Sequence, residues 1–487
     1  MINNKKVIGI LLSMIIVMFL LLFIYLNSYT KTNNNSSNNE LKPTVINIIS
    51  DSNPLSNIES NITDTTSNIS ITSNSNSNSV NSNKTVVTKS NITSNKPSNK
   101  TSNKATTTTS NKKVVSNSNT TKPLTTSQKV DNKLKQMTLD EKIGQMLIIT
   151  FTGTSMNTNL KNDLTKYKPG GVILFANNLS NYNTSINLVK NIQSTGEIPL
   201  FISIDQEGGK VQRLTSITGK PATVIPPMYS VGKMNDTSLA YNIGAVIAEE
   251  LRVFGINMDF APDIDILTTD DSTVIGTRSF GTDPTLVSNM GIAVANGLKS
   301  KGVIPVYKHF PGHGSTTTDS HYDLPVLTKT KSQLYDFDLI PFQKAIKNGA
   351  QVIMIGHLAI PNITGDKTPA SLSKKLITNI LKNEMGYKGL VVTDALNMNA
   401  VSKNYTEKQI YEMAINAGVD ILLMPKSASS AITYIKQSIK EGKIKESQIN
   451  ESVRKILTLK YSSLKTDFLS TNYLGSSAHK TVVNKVK

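Results

Sequence analysis

Residues 200–205 read Leu-Phe-Ile-Ser-Ile-Asp, a short and almost wholly apolar run that ends in a carboxylate. Seven other runs of this kind are separated from it and from each other by stretches with the apolar spacing of helices. The eight runs are 146–151, 171–176, 200–205, 257–263, 303–309, 352–357, 390–394 and 420–424. Continuous apolar strands that alternate with helices are typical of a parallel sheet covered on both faces.

Eight strand-helix units predict an α/β fold, a single (β/α)8 TIM-like barrel over residues 128–465. The alternative is an open, doubly wound sheet. No glycine-rich dinucleotide fingerprint follows the first run, which weakens that alternative. Thr138-Leu139-Asp140-Glu141-Lys142 is predicted to begin an amphipathic helix at the start of the barrel.

The N-terminal residues 1–29 contain an uncharged, almost wholly apolar run of 20 residues over 7–26, preceded by Lys5 and Lys6. A helix of that length spans about 30 Å, the thickness of a hydrocarbon core. The residues that follow do not form a good cleavage site, so we expect an uncleaved transmembrane anchor. The lysines predict a cytoplasmic N-terminus, with the rest of the chain at the cell membrane's extracellular side. A secreted protein with a cleaved signal is the alternative.

Residues 30–127 are dominated by Asn, Ser, Thr and Lys, a low-complexity composition that cannot bury enough apolar surface to fold. They are predicted to form a disordered linker. Residues 466–487 are predicted to be a basic C-terminal tail.

The formal net charge of +18 arises almost entirely from lysine, since the chain contains only four arginines. Readers of nucleic acids usually depend on arginine for bidentate contacts, so we predict no nucleic-acid partner. The chain has no cysteine, which excludes disulfides and thiolate metal sites.

Five of the eight runs end in polar side chains. These are Asp205, Asp263, Lys308 with His309, His357 and Asp394. Active sites of (β/α)8 enzymes lie at the carboxyl ends of the strands, so a shared pocket is predicted. The simpler alternative is that polar residues mark the end of any buried strand.

Asp205 begins the segment Asp-Gln-Glu-Gly-Gly, in which two glycines permit close backbone approach to a ligand. Its carboxylate can accept hydrogen bonds from two neighbouring sugar hydroxyls, and Arg213 can supply the matching donors.

Three of the five histidines fall within residues 309–321, in the segment that begins Lys-His-Phe-Pro-Gly-His-Gly and ends Asp-Ser-His. A zinc site is the competing interpretation. Lys308 would repel a cation, so no metal is predicted. Asp319 and His321 alternate along the loop, where the carboxylate can orient the imidazole.

Asp394 ends the run Leu-Val-Val-Thr-Asp, which suits a nucleophile held rigidly by a strand. The alternative role for this carboxylate is to cap the helix that follows.

From about 128 to 460 the chain resembles glycoside hydrolase family 3, in particular its bacterial β-N-acetylglucosaminidase branch. The resemblance rests on ISIDQEGGKVQRL, NMDFAPDIDI, IGTRSFGTDP, KHFPGHGSTTTDSH and VVTDALNMNA, in the family's order and spacing. It implies that Asp394 is the nucleophile and that His321 is the acid/base, paired with Asp319. It also implies substrate-binding roles for Asp205, Arg213, Arg278, Lys308 and His309.

The resemblance further implies a retaining, exo-acting β-N-acetylglucosaminidase that needs no cofactor and acts on N-acetylglucosamine-containing saccharides or muropeptides from peptidoglycan. A β-glucosidase or xylosidase of the same family and a non-catalytic wall-binding barrel are the alternatives. The sequence departs from the family's usual pattern at Lys210, Ser315 and Ala395, and Ser315 is expected to affect how its loop closes.

Overall fold

The computed structural model describes residues 123–268, 274–316 and 318–487. The predicted membrane anchor and most of the predicted linker lie outside the described residues. Within the described ranges, no helix is long and apolar enough to cross a membrane.

Eight parallel strands form one sheet that curls into a nearly closed barrel. The strands are β1 (Leu147–Ile149), β2 (Gly171–Leu174), β3 (Phe201–Ile204), β4 (Met258–Asp259), β5 (Ile304–Phe310), β6 (Val352–Ile355), β7 (Leu390–Thr393) and β8 (Leu422–Leu423). Each strand from β1 to β6 pairs with the next strand in the sequence, and β8 pairs with β1. A single bridge between Val392 and Ile421 brings β8 to β7. The predicted eight-stranded parallel barrel is therefore confirmed.

Helices connect the strands and cover the outside of the barrel. They are α1 (Thr126–Gln136), α2 (Leu139–Gln145), α3 (Thr158–Asn162), α4 (Tyr182–Gln193), α5 (Met228–Met234), α6 (Thr237–Val253), α7 (Pro284–Ser300), α8 (Lys331–Gln333), α9 (Ile340–Lys347), α10 (Pro361–Thr364), α11 (Asn399–Ser402), α12 (Glu407–Ala417), α13 (Ala428–Lys440), α14 (Glu446–Ser463) and α15 (Ser477–Val483). Three π-helical segments occupy Asp163–Tyr167, Leu334–Asp338 and Lys375–Glu384. Short 3-10 turns lie at Ala176–Asn178, Leu214–Ser216, Gly276–Arg278, Ala370–Leu372 and Thr471–Tyr473.

The helix predicted at Thr138 begins there because of a capping box. The Thr138 side chain accepts from the backbone N–H of Glu141, and the Glu141 carboxylate accepts from the backbone N–H of Thr138. Two otherwise unpaired donors at the start of α2 are satisfied in this way.

Strand β4 is shorter than the predicted run 257–263. Pro262 has no N–H with which to continue a hydrogen-bonded ladder. Pairing resumes irregularly beyond it, where the backbone of Asp263 bridges to Lys308. The chain after β4 therefore stays against β5 and brings its carboxylates to the same end of the barrel.

Strand β5 is irregular where it reaches the carboxyl end of the barrel. Its register with β6 shifts between Tyr307 and Phe310. Successive side chains of a regular strand point to opposite faces. Here the shift lets the neighbouring residues Lys308 and His309 both line the cavity at the top of the barrel.

The C-terminal segment 466–487 packs on α6. His479 of α15 lies between two carboxylates of that helix, 3.0 Å from Glu250 and 2.9 Å from Glu249. Arg252, whose side chain is 2% exposed, pairs with Asp467 at 2.7 Å. This segment therefore supplies partners to charged groups that the barrel buries.

Candidate active site

A cavity of about 310 Å³ opens at the carboxyl ends of the strands. Seven of the eight predicted site residues line it, and they come from the end of β5, from the chain after β3 and β7 and from the loops between. The seven are Asp205, Arg213, Arg278, Lys308, His309, His321 and Asp394. The eighth, Asp319, contacts the ring of His321 from outside the lining. The barrel thus brings together residues that are far apart in the sequence.

The pocket floor consists of Asp205, Glu207, Arg278 and Lys308. The Lys308 ammonium lies 2.9 Å from Asp205 and 2.5 Å from Glu207. The guanidinium of Arg278 donates two hydrogen bonds of 2.8 Å to the two oxygens of Glu207. This bidentate pairing fixes the orientation of both charged groups.

Burial and ion pairing shift the pKa values of the floor residues in opposite directions. Burial by itself would raise the pKa of Glu207, but Arg278 and Lys308 outweigh it and hold that pKa well below its usual value. Burial would lower the pKa of Lys308, but Asp205 and Glu207 raise it above its ordinary value. The floor therefore carries fixed charges at neutral pH.

Arg213 lies beside the floor with an unused donor. Its guanidinium is 3.8 Å from Asp205 and stands 5.8 Å from the ring centre of Phe175. Its Nε–H is buried and has no hydrogen-bond partner among the described residues. Since buried donors are nearly always paired, this one is available to an acceptor on a ligand.

Asp394 directly follows β7 and faces the cavity. One of its oxygens accepts from the backbone N–H of Ala395 at 2.8 Å. Burial acts to raise its pKa, but His357, His309 and that N–H outweigh burial, so the pKa of Asp394 is lowered and the group is a carboxylate. The next helix, α11, has Met398 at its N-cap without a side-chain cap. The helix-capping alternative is therefore excluded.

His357 holds the backbone of Ala395, the residue that follows Asp394. Its Nε2 lies 3.0 Å from the carbonyl oxygen of Ala395 and its Nδ1 lies 2.7 Å from the Ser371 hydroxyl. A carbonyl can only accept, so Nε2 carries the proton and Nδ1 accepts from Ser371. Burial lowers the pKa of His357, which keeps the ring neutral.

His321 stands on the mouth loop (residues 313–323, described except at 317), whose last residues, 321–323, are exposed. Its Nδ1 lies 2.7 Å from Asp319 Oδ1, and its backbone N–H donates to the same oxygen at 2.9 Å. Burial would raise the pKa of Asp319, but these hydrogen bonds lower it. With Nδ1 held in this way, Nε2 is left to exchange protons with a ligand.

A buried polar network lies behind the floor. Asp265 accepts from the backbone N–H of His313 at 2.7 Å and lies 2.7 Å from His309 Nδ1. Burial lowers the pKa of His309 to about 4, so that ring is neutral. Burial and the neighbouring Asp265 raise the pKa of Asp263 to about 7.

Asp263, Asp265 and His309 are the described residues whose atoms could converge on a metal ion. Arg278 already places its guanidinium 3.3 Å from Asp263 and 3.5 Å from His309 Nε2. The Arg278 guanidinium therefore already supplies positive charge where a metal ion would bind.

The mouth loop is held to the barrel at its N-terminal end. His313 lies 2.6 Å from the Thr316 hydroxyl, and Ser315 accepts from Lys329 and donates to Asp338. An added Cβ at Gly314 would lie 2.0 Å from the carbonyl oxygen of Ile266, so only glycine allows this close approach. Ser315 thus joins a polar contact that holds the loop to the chain before α9.

Three polar residues in or behind the pocket, Glu207, Asp265 and His313, received no role from sequence patterns. The structure makes Glu207 the partner of Arg278 and Lys308. Asp265 and His313 were not singled out. The alternation of Asp263 and Asp265 was the available signal, since residues two apart on an extended chain share a face.

The pattern of the family described as "Glycosyl hydrolase family 3 N terminal domain" matches residues 138–459. The chain is 35% identical over 326 residues to Beta-hexosaminidase A of Pseudoalteromonas piscicida, covering 62% of this chain and 54% of that protein. It is 34% identical over 299 residues to Beta-hexosaminidase of Nitrosomonas eutropha, covering 60% of this chain and 84% of the relative. It spans about half the length of the first relative.

Among solved structures, a glycoside hydrolase family 3 beta-N-acetylglucosaminidase from a Paenibacillus species superposes with a TM-score of 0.67 at 34% identity. The match covers 72% of this chain and 68% of that one.

Proposed function

The chain belongs to glycosyl hydrolase family 3, and we propose that it is a retaining β-N-acetylglucosaminidase that removes terminal β-linked N-acetylglucosamine through a glycosyl-Asp394 intermediate. One observation carries the proposal. A carboxylate on the end of β7 and an imidazole on the mouth loop line the same cavity, whose floor offers fixed polar groups. The names of the similar proteins support the acetamido sugar.

The floor binds the sugar that is transferred. The Asp205 carboxylate accepts from sugar hydroxyls, and Lys308 donates to them while remaining paired with Asp205. The unpaired Nε–H of Arg213 donates to a further sugar oxygen. Groups that are already held by ion pairs lose little freedom on binding, which favours a defined position for the anomeric carbon.

In the first step an Asp394 oxygen attacks the anomeric carbon and the glycosidic C–O bond breaks. The bonding electrons go to the leaving oxygen, which takes a proton from Nε2 of protonated His321. Asp319 stays hydrogen-bonded to Nδ1 and holds the ring in place. The lowered pKa of Asp394 keeps the nucleophile ionised.

In the second step neutral His321 removes a proton from water. The water oxygen bonds to the anomeric carbon and the ester bond to Asp394 breaks, which restores the carboxylate and the protonated imidazole. Many retaining glycosidases use a second carboxylate as acid/base, about 5–5.5 Å from the nucleophile. An imidazole that becomes neutral after donation does not repel the nearby carboxylate.

Paired aryl glycosides test the proposal. The full chain is assayed on p-nitrophenyl β-N-acetylglucosaminide and on the matching β-glucoside and β-xyloside. We expect a strong preference in kcat/KM for the acetamido sugar. Equal or reversed ratios would indicate a β-glucosidase or xylosidase, and no turnover with intact binding would indicate a non-catalytic barrel.

We propose in addition that residues 7–26 anchor the enzyme in the cell membrane with the barrel outside, where peptidoglycan fragments are its substrates. Lys5 and Lys6 ahead of the apolar run support this orientation. Protease treatment of intact cells should cut the linker and release an active fragment of roughly 40 kDa. Activity confined to the cytosolic fraction would contradict the proposal.

A further inference from the structure

The segment that carries two of the proposed sugar-binding side chains is fixed to its neighbour in the chain. We call residues 205–213 the sugar-binding loop and residues 217–227, which lead from it to α5, the strap. The backbone N–H of Gly209 donates to the carbonyl oxygen of Ile225 at 3.0 Å. The Gln212 side chain donates to the same carbonyl at 3.0 Å and accepts from the backbone N–H of Ile225 at 2.8 Å. Three hydrogen bonds therefore join the strap to the sugar-binding loop.

The strap and the sugar-binding loop also pack closely at two glycines. An added Cβ at Gly208 would lie 2.6 Å from the carbonyl oxygen of Pro226. One at Gly209 would lie 3.0 Å from the Cα of Pro227. Because packed backbones of this kind leave no room for independent movement, a shift of the strap displaces the side chains of the sugar-binding loop.

The strap is held in turn by the buried carboxylate of Glu250 on α6, a residue that is 1% exposed. This carboxylate accepts from the backbone N–H of Thr223 at 2.9 Å and from the Thr223 hydroxyl at 2.6 Å. From the C-terminal segment, the backbone N–H of Gly475 donates to it at 2.9 Å, and Nδ1 of His479 lies 3.0 Å away. Glu250 therefore joins the strap to the C-terminal segment.

His479 faces a carboxylate at each of its ring nitrogens. Nδ1 meets Glu250, and Nε2 lies 2.9 Å from Glu249, which also pairs with Lys301 at 2.6 Å. A carboxylate accepts, so both nitrogens donate and the ring is an imidazolium. Burial acts to lower the pKa of His479, but the hydrogen bonds to Glu250 and Glu249 outweigh it and raise that pKa above 6.5. Among the described residues, His479 is the cation that pairs with Glu250.

The strap and the C-terminal segment touch directly as well. The Lys220 ammonium donates to the carbonyl oxygen of Thr471. An added Cβ at Gly475 would lie 2.2 Å from the carbonyl oxygen of Pro221. The strap therefore contacts the sugar-binding loop and the C-terminal segment, and Glu250 anchors it to α6.

We infer that Glu250 and His479 are positioning residues for sugar binding, which hold the strap, and through it the sugar-binding loop, where Asp205 and Arg213 meet the transferred sugar. The inference rests on the proposed function and extends it to residues outside the cavity. Neither Glu250 nor His479 lines that cavity, so both act through the strap. Loosening the strap should weaken contacts made in every sugar-bound state, which raises KM without a matching loss in kcat.

Kinetics of the full chain on p-nitrophenyl β-N-acetylglucosaminide test the inference. His479→Ala removes the cation that pairs with Glu250. We expect KM, and the inhibition constant of free N-acetylglucosamine, to rise together by about three- to ten-fold while kcat stays within about two-fold. Thr223→Val, which removes the hydroxyl on the strap side of the same carboxylate, should show the same pattern. Thr223→Ser keeps that hydroxyl and should restore wild-type values.

The matched control is Asp467→Ala. It breaks the pairing of the C-terminal segment with buried Arg252 and leaves the contacts of Glu250 in place. Its thermal unfolding temperature should fall, but KM and the inhibition constant should stay at wild-type values. An equal rise in KM for Asp467→Ala and His479→Ala would overturn the inference, because it would reflect general loosening of the C-terminal segment. Unchanged constants in a folded His479→Ala variant would also overturn it.

Thr223→Val decides the question alone if His479→Ala does not fold, because it leaves every ion pair in place. Failure of the inference and failure of the proposed function have different outcomes. Wild-type turnover of the aryl glycoside, with KM unchanged in Thr223→Val, rejects the positioning role alone. Absence of turnover and of N-acetylglucosamine binding in the wild type rejects the function and the positioning role together.

Discussion

The pocket floor and the mouth loop contribute to the same cavity under opposite physical conditions. On the floor, Glu207 and Lys308 have side chains only 2% and 3% exposed, and each is held by more than one ion pair. On the mouth loop, His321 has a single carboxylate partner and faces solvent. Fixed charges suit the binding of one sugar, while an exposed imidazole can exchange protons with water between steps. In the proposed mechanism, this difference separates sugar binding from proton transfer.

The largest effect should come from Asp394, where floor and mouth meet. Asp394→Asn keeps the shape of the side chain but removes the nucleophile, so no covalent intermediate forms. We expect kcat to fall by at least about 10⁴-fold on both aryl and natural substrates. Steady-state assays check the loss, with the thermal unfolding temperature as evidence of folding. A variant that retains a tenth of the activity would remove Asp394 from the mechanism.

A smaller and substrate-dependent effect should follow from His321→Ala on the mouth loop. Loss of a general acid typically costs about 10²- to 10⁴-fold on a natural leaving group. An aryl leaving group departs with less help, so the first step should be less impaired than hydrolysis of the intermediate. The glycosyl-enzyme should then accumulate, giving a burst of aryl product and a lowered KM. Wild-type rates on disaccharides would show that another group is the acid.

Substitutions on the floor and on the mouth loop should differ more in their effects on stability than in their effects on activity. Glu207→Gln leaves buried Lys308 and Arg278 without their shared carboxylate, which should lower the free energy of unfolding by about 3 kcal/mol at neutral pH. The folded-state pKa of Glu207 lies below the ordinary 4.5. Its contribution is thus present above pH 4.5 and declines as the pH falls, so the deficit of the variant should shrink in acid.

Asp319→Asn is the matched carboxylate change on the mouth loop, where Asp319 is 30% exposed. Its unfolding temperature should stay close to that of the wild type. Thermal unfolding of both variants at pH 7 and pH 4 checks the contrast. Equal losses of stability would mean that floor and mouth do not differ as described.

The smallest effect is a change in the pH dependence of stability at Asp263. Its folded-state pKa of about 7 lies above the ordinary 3.8, so the folded protein holds this proton more tightly. The associated stability is complete below pH 3.8 and is lost as the pH rises through 7. Asp263→Asn should therefore gain stability relative to the wild type between pH 5 and pH 8.

Unfolding curves at pH 5 and pH 8 measure this change in stability. Asp140→Asn serves as the control, because it removes a carboxylate that is 52% exposed on the surface. A constant difference between Asp263→Asn and the wild type across this range would show that Asp263 is ionised throughout.

The barrel, and the grouping of several candidate residues in one cavity, could be predicted from the sequence because both depend on local patterns. Asp205 and Asp394 could be placed in one pocket because each follows an apolar run, and parallel strands end at the same edge. The contact between Asp319 and His321 was also predictable, since they are two residues apart. In each case the necessary information lies within a few residues.

Contacts over long separations could not be predicted in this way. Glu207 meets Arg278 across 71 residues, and no local pattern distinguishes it from a free carboxylate. The register shift in β5 depends on pairing with β6, so the shared orientation of Lys308 and His309 was not visible. Lys403 reaches Tyr322 across 81 residues through an exposed turn whose path only the folded chain defines.

The docked C-terminal segment has a practical consequence for recombinant work on this protein. An expression boundary drawn after α14 would look natural, because the last barrel helix ends at Ser463. It would remove the partners of Arg252 and Glu250, leaving a buried cation and a buried carboxylate with fewer contacts. Shortened versions of the protein should therefore retain α15.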